Sequence, residues 1–143
     1  MDVTTPEDRE LKALLGEAHT IAVVGLSSKE GRPSFSVARY LQAHGYRIVP
    51  VNPRETEVLG EPAYPTLRDI PNDVRVDVVD VFRRPEETPE VARDAVAIGA
   101  RVLWLQEGIV NEEAYRIADA AGLEVIMGVC IRHARERLEG TDA

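Results

Sequence analysis

The chain has 143 residues, of which 44% are apolar and 29% charged, a composition typical of one globular domain with its own core. It excludes a disordered or collagen-like chain, and no apolar run approaches the roughly 18 to 20 residues that cross a bilayer. With 17 basic and 25 acidic residues the net charge is −8, which opposes binding to nucleic acid or anionic lipid, so any phosphate ligand must be held by local groups.

Helix and strand patterns alternate along the chain. Thr5 and Pro6 predict the start of a helix that continues to about Ala18, with leucines at helical spacing. Short apolar segments predict strands at residues 21–25, 47–51, 76–81, 101–105 and 124–127. Between them the sequence predicts a helical turn near 66–70 and helices over 34–44, 88–98 and 111–121, with N-caps at Ser34, Thr88 and Asn111.

This alternation predicts an α/β fold, a doubly wound Rossmann-like sheet of five parallel strands in the order 3-2-1-4-5 with helices on both faces. We find no linker or internal repeat, so we expect one domain over residues 1–143. In such sheets ligands bind beyond the carboxyl ends of the strands, where successive connections leave in opposite directions. Four loops are therefore candidates for a ligand site.

The loop after the first strand has the features of an anion site. Gly25 permits a tight turn, and the amides near Ser34 at the helix start could hold a phosphate or pyrophosphate. The loop lacks both the G-x-G-x-x-G spacing and the G-K-[ST] ending of a Walker loop. The alternative is a plain strand-to-helix connection.

The loop after the second strand carries Asn52 and Pro53 where NAD-binding proteins usually place a carboxylate for the ribose hydroxyls. Arg54 could contact a ribose phosphate, as in an NADP site, or it could be a solvated arginine.

The third strand is followed by Phe82, Arg83 and Arg84 at the expected ligand edge. The ring could pack an adenine and the guanidinium groups could bind phosphate. Alternatively, Phe82 belongs to the core and the arginines pair with Glu86 and Glu87.

The fourth strand is followed by Gln106, which offers amide donors and acceptors, and by Gly108, which permits close approach of another chain. The alternative is a simple strand-to-helix turn, with Trp104 packed in the core.

Residues for catalysis are few. Neither a nucleophile nor a base is recognisable beside His19, His44 or His133, and the G-x-S-x-G, C-x-x-C and H-E-x-x-H motifs are absent. We interpret Cys130, the single cysteine, as a buried apolar residue, and we expect no disulfide or metal. Glu107 is the one carboxylate that we consider for acid or base chemistry, and we assign no catalytic residue.

Taken together, the four loops resemble those of the small bacterial CoA-binding proteins, which are similar to the CoA-binding domain of the succinyl-CoA synthetase alpha subunit. The resemblance covers nearly the whole chain and rests on the order and spacing of VVGLSSKEGRPSFSVARYL, GYRIVPVNP, VDVVDVFRRPEETPEV and IGARVLWLQEGIVNEEA. It implies that CoA contacts the first, second and fourth loops, at Gly25, Ser27, Ser28, Asn52, Pro53, Leu105, Gln106 and Glu107.

The chain departs from this pattern at two places. We expect it to lack the second synthetase domain, which carries the phosphorylated histidine. It also reads Met127, Gly128, Val129, Cys130 where the small family often has M-D-R-C, so an acid and a base are missing.

We therefore expect a cytoplasmic protein, because the polar first residues do not resemble a signal peptide. We expect it to bind CoA or acyl-CoA without catalysis of its own, and to bind neither nucleic acid nor membrane. The helix start at Ser34 and two or three of the arginines at 32, 54, 83 and 84 would offset the charge of the CoA phosphates. The alternatives are an NADP-dependent oxidoreductase and a CoA-binding subunit that acts with a ligase-type partner.

Overall fold

The computed structural model describes residues 7–139. In chain order its helices and strands are α1 (Asp8–Glu17), β1 (Thr20–Val24), α2 (Pro33–Ala43), β2 (Arg47–Val51), β3 (Glu57–Val58), β4 (Glu61–Pro62), β5 (Val78–Val81), α3 (Thr88–Ala97), β6 (Val102–Glu107), α4 (Glu112–Ala120), β7 (Glu124–Gly128) and α5 (Ile131–Glu139). Two single turns of 3-10 helix, Leu67–Asp69 and Pro85–Glu87, precede β5 and α3. In this part of the chain no helix is long and apolar enough to cross a membrane.

The main sheet has five parallel strands in the order β2-β1-β5-β6-β7, which confirms the predicted fold class. The segment predicted as the third strand lies beside β1 and does not occupy the outer position. That position, outside β2, holds Tyr64, which makes a single parallel bridge to Val51. With this bridge counted as the third strand along the chain, the sheet has six positions in the order 3-2-1-4-5-6, an arrangement of the predicted 3-2-1-4-5 type. Because this pairing involves one residue only, the sequence around Tyr64 has no apolar run or alternation that would predict a strand.

Helices cover both faces of the sheet, and the strands are accordingly apolar along their length. Alternate residues of one strand belong to different cores: Val78 packs with α1, α2 and α5, while Val79 packs with α3 and α4. Trp104 is fully buried on the face covered by α1, α2 and α5, and its indole nitrogen donates to the carbonyl of Val129 at 2.7 Å. Trp104 is therefore packed in the core, as the alternative interpretation of the fourth loop expects.

The predicted helix starts have mixed outcomes. Asn111 caps α4, since its side chain accepts from the amide of Ala114 at 2.8 Å. Ser34 and Thr88 do not act as caps. The N-cap positions are held by Arg32 and Glu87, so Ser34 and Thr88 each lie inside the first turn of the helix. The buried hydroxyl of Thr88 instead donates to the carbonyl of Pro85 at 2.7 Å. Thr5 and Pro6 lie outside the described residues.

The sequence prediction missed α5, which closes one face of the sheet. Its buried residues, Ile131, Ala134 and Leu138, stand among charged side chains, but their spacing is helical. Arg135 anchors the helix, with its guanidinium 3.3 Å from the hydroxyls of both Tyr40 and Tyr46. This helix brings its N-terminal turn to the carboxyl edge of the sheet.

Candidate functional site

The crevice at the carboxyl edge of the sheet opens between β1 and β5. These neighbouring strands are followed by helices on opposite faces, since α2 packs on one face and α3 on the other. A reversal of this kind leaves the space beyond the strand ends uncovered by either helix. The loops after β1, β2 and β5 surround this space.

Gly25 is the point of closest approach in the crevice. Its φ of +86° lies in the region that favours glycine, and a Cβ at this position would collide with the backbone carbonyl of Phe82. The amide of Gly25 donates to the carbonyl of Val51 at 2.8 Å, and the amide of Phe82 donates to the carbonyl of Val24 at 2.8 Å. These two hydrogen bonds and the close approach at Gly25 hold the ends of β2, β1 and β5 side by side.

Side-chain oxygens bind the amides of the first loop. The amide of Ser27 donates to the buried hydroxyl of Ser34 at 3.1 Å, and the amide of Lys29 donates to the hydroxyl of Ser27 at 3.1 Å. The amide of Ser28 donates to the carboxylate of Glu55 at 2.9 Å. Thus Ser34 shapes the loop, and Glu55 already places an anionic group against it.

Asn52 joins the second loop to the first. Its side-chain amide donates to the carbonyl of Leu26 at 3.0 Å, and its side-chain carbonyl accepts from the amide of Arg54 at 2.9 Å. An aspartate here would lose the first of these bonds, because a carboxylate cannot donate. The residue that replaces the usual NAD carboxylate thus has a structural role of its own.

The two arginines of the third loop converge on Glu87. Arg84 donates through Nε to one carboxylate oxygen at 2.8 Å, and Arg83 forms an ion pair with the other. The hydrogen bond from Arg84 holds the pKa of Glu87 below its ordinary value. The pairing with Glu87 that the sequence left open is therefore present, and Phe82 is half-buried beside it.

The residues of the fourth loop have different environments. Leu105 is fully buried on the face covered by α3 and α4, so its side chain does not reach the crevice. Gln106 is also buried, and its side-chain oxygen accepts from the amide of Ile131 at the start of α5 at 3.1 Å. Glu107 is exposed, and its carboxylate lies 3.9 Å from Nδ1 of His133.

The loops after β1, β2 and β5 form a cavity of about 860 Å³, which we call the cationic cleft. It brings together all the site residues predicted from these loops, namely Gly25, Ser27, Ser28, Arg32, Ser34, Asn52, Pro53, Arg54, Phe82, Arg83 and Arg84. Lys29, Glu55 and Glu87 also line it and were not among the predicted site residues. Five cationic side chains thus face two carboxylates, in a chain whose net charge is −8.

Two further cavities adjoin the cationic cleft. The small cleft, of about 350 Å³, shares Pro53, Arg83 and Glu87 with it and extends toward α3. The α5 chamber, of about 710 Å³, shares Pro33 and Phe82 with it and continues to the start of α5. The chamber includes the predicted residues Gln106, Glu107 and Gly108, together with Ser36, Val37, Ile109, Cys130, Arg132, His133 and Glu136, which the sequence analysis did not include in the site.

Asp80 is a buried carboxyl group close to the crevice. It lies in β5 between Val23 and Trp104 of the neighbouring strands, two residues before Phe82. Its side chain is fully buried, and neither carboxyl oxygen has a hydrogen-bond partner among the described residues. Burial raises the pKa of Asp80 well above its ordinary value, so the neutral form is favoured in the fold.

The fold and the crevice define a doubly wound α/β domain with a cationic cleft at its switch point. Residues 19–135 match the CoA binding domain family, and the chain belongs to this family. The uncharacterized protein YneT of Bacillus subtilis is 44% identical over 129 residues, which are 90% of this chain and 94% of that protein. A hypothetical protein from Pyrococcus horikoshii OT3 has a solved structure with a TM-score of 0.90 and 40% identity, covering 98% of this chain and all of that one.

Larger enzymes contain a similar domain. An ADP-forming acetate–CoA ligase of Archaeoglobus fulgidus is 31% identical over 99 residues, and the match spans 66% of this chain but 14% of the ligase. The structure of dinucleotide forming acetyl-coenzyme A synthetase 1 of Ca. Korarchaeum cryptofilum has a TM-score of 0.71 and 26% identity, with 87% of this chain and 30% of that one covered. This chain therefore spans a small part of these enzymes.

Proposed function

We propose that the protein binds coenzyme A or an acyl-CoA along the carboxyl edge of its sheet. The observation that carries the proposal is the cationic cleft, where five cations converge in an otherwise acidic chain. CoA carries a pyrophosphate and a ribose phosphate, which match such a concentration of charge. Membership of the CoA binding domain family supports this ligand.

The existing carboxylate contacts support phosphate binding in the cleft. Glu87 accepts from Arg84 and pairs with Arg83, and Glu55 accepts from the amide of Ser28. Guanidinium groups and backbone amides bind phosphate oxygens in the same manner as carboxylate oxygens. We infer that ligand phosphates replace or join these two carboxylates, with Arg32 and Arg54 as additional donors.

The side chains that line the small cleft and the α5 chamber suit the remaining parts of CoA. The small cleft presents the apolar side chains of Val51, Leu67 and Val91 beside the carboxylate of Asp94, a combination that suits an adenine ring with its exocyclic amine. On the other side, Phe82 and Pro33 border both the cationic cleft and the α5 chamber. The pantetheine arm then crosses Phe82 toward Gln106 and Glu107.

We place the protein in the cytoplasm as a single-domain binding protein without assigned catalysis. Its relation to the acetate–CoA ligase supports a second candidate role, a CoA-binding subunit that acts with a ligase-type partner. Copurification with a ligase-type chain distinguishes this role. Arg54 beside the cleft motivates the third candidate, an NADP-dependent oxidoreductase.

Mass spectrometry of the ligand released from freshly purified, undialysed protein tests the proposal. We expect the mass of CoA or of an acyl-CoA. A protein that carries NADP instead would contradict the proposal and favour the oxidoreductase. If no ligand is released, the same preparation is titrated with CoA, and absence of binding contradicts the proposal.

A further inference from the structure

The α5 chamber lies at the end of the path that we propose for the pantetheine arm. It begins at Pro33 and Phe82, the side chains that it shares with the cationic cleft, and it continues past the end of β6 to the first turn of α5. Its volume of about 710 Å³ leaves room for a substituent on the thiol. Its walls include the apolar side chains of Val37, Ile109 and Cys130.

The charged groups of the chamber are paired with one another. Arg132 lies 3.3 Å from the carboxylate of Glu136 and 3.3 Å from the hydroxyl of Ser36, and its guanidinium stacks 4.7 Å from the ring centre of Tyr40. His133 lies 3.9 Å from the carboxylate of Glu107. Among the residues that line the chamber, each cationic or imidazole side chain therefore already faces a carboxylate. The carboxylate of a ligand would therefore meet two groups of the same charge, Glu107 and Glu136.

We propose that the α5 chamber binds the acyl group of an acyl-CoA, and that it selects uncharged acyl groups over those that end in a carboxylate. The proposal rests on the proposed function and names its substrate class. Apolar walls gain free energy from each methylene removed from water. A terminal carboxylate would lose hydration, and it would find no excess of cations in the chamber, where two carboxylates already face Arg132 and His133. The cationic cleft differs in this respect, because five cations face two carboxylates there.

Calorimetry with CoA, butyryl-CoA and succinyl-CoA tests the proposal on the unmodified protein. We expect butyryl-CoA to bind at least about fourfold more tightly than CoA, because one buried methylene is worth about that factor. We expect succinyl-CoA to bind no more tightly than CoA. Equal affinity for CoA and butyryl-CoA, or succinyl-CoA as tight as butyryl-CoA, would overturn the inference while leaving CoA binding intact. Absence of CoA binding would overturn the proposed function itself.

A pair of matched variants tests the selection by charge. Glu136→Gln removes the carboxylate that pairs with Arg132, so succinyl-CoA should bind several-fold more tightly relative to butyryl-CoA than it does in the unmodified protein. Glu139→Gln is the control, because Glu139 pairs with Arg135 at 2.6 Å on the same helix but does not line the chamber. Both side chains are about half exposed, so the fold should tolerate both changes. An unchanged preference in Glu136→Gln would overturn the selection by charge.

Discussion

Replacing Gly25 with alanine perturbs the contact between β1 and β5. The backbone of Gly25 has a φ of +86°, and the added Cβ would overlap the carbonyl of Phe82. A residue with a Cβ in this conformation costs roughly 1–2 kcal/mol. Separating the strands would also weaken the bond between the Phe82 amide and the Val24 carbonyl, worth about 1 kcal/mol. The free energy of unfolding should therefore fall by about 2–3 kcal/mol.

The same change should impair ligand binding, because Phe82 borders both the cationic cleft and the α5 chamber. A displacement that costs a single hydrogen bond to the phosphates, about 1.5 kcal/mol, weakens CoA binding by roughly tenfold. Calorimetry at a temperature well below the unfolding transition measures this loss separately from unfolding.

Gly16→Ala is the matched control, since Gly16 lies in α1 with an ordinary φ and open space around the position of a Cβ. Alanine at this position should be neutral or should stabilise the protein by up to roughly 1 kcal/mol, with unchanged CoA affinity. Urea unfolding of both variants measures the difference. If Gly25→Ala unfolds at the same urea concentration as Gly16→Ala and binds CoA equally well, the close approach of Gly25 to Phe82 supports neither the fold nor ligand binding.

Further predictions concern the charged groups at and below the crevice. Arg83→Ala and Arg84→Ala should each weaken CoA binding by about 10 to 150 fold at low salt, whereas Arg116→Ala, which removes an exposed pair with Glu112, should leave it within twofold. Losses within twofold for both cleft arginines would contradict phosphate binding by them. Burial raises the pKa of Asp80 in the folded protein, so as the pH rises this carboxyl group ionises first in the unfolded chain, above about pH 4. The free energy of unfolding therefore falls as the pH rises from about 4 through the pKa of Asp80 in the folded protein. Asp80→Asn should therefore unfold at a higher urea concentration than the unmodified protein at pH 7 but not at pH 4, and a difference that does not vary with pH would refute a buried neutral carboxyl.

Much of the crevice could be predicted because its residues follow recognisable strands. Once the strands at 21–25, 47–51 and 76–81 are read from their apolar runs, parallel pairing brings their carboxyl ends to one edge. The loop residues Gly25, Arg54 and Arg83 are then expected at the same edge of the sheet. The direct contact between Gly25 and the loop of Arg83 depends on β1 and β5 being neighbours in the sheet. All three line one cleft because parallel strands end at the same edge of the sheet.

The parts that could not be predicted depend on tertiary contacts. The amide of Ser28 bonds to Glu55 from another loop, and no local pattern indicates this pairing. The α5 helix was missed because charged residues dominate its sequence, so Arg132 and Glu136 were not placed beside the ligand edge. The outer position of the sheet is filled at Tyr64 by a single bridge, which leaves no signal of strand periodicity.

Calorimetric titration of ligand-free protein with CoA, dephospho-CoA, NAD and NADP tests the central claim most directly. We predict that CoA binds and that dephospho-CoA binds more weakly, because it lacks the ribose phosphate that the arginines of the cationic cleft would contact. We predict that NAD does not bind, since Asn52 and Pro53 stand where a carboxylate would hold its ribose. Binding of NAD or NADP in preference to CoA would contradict the account.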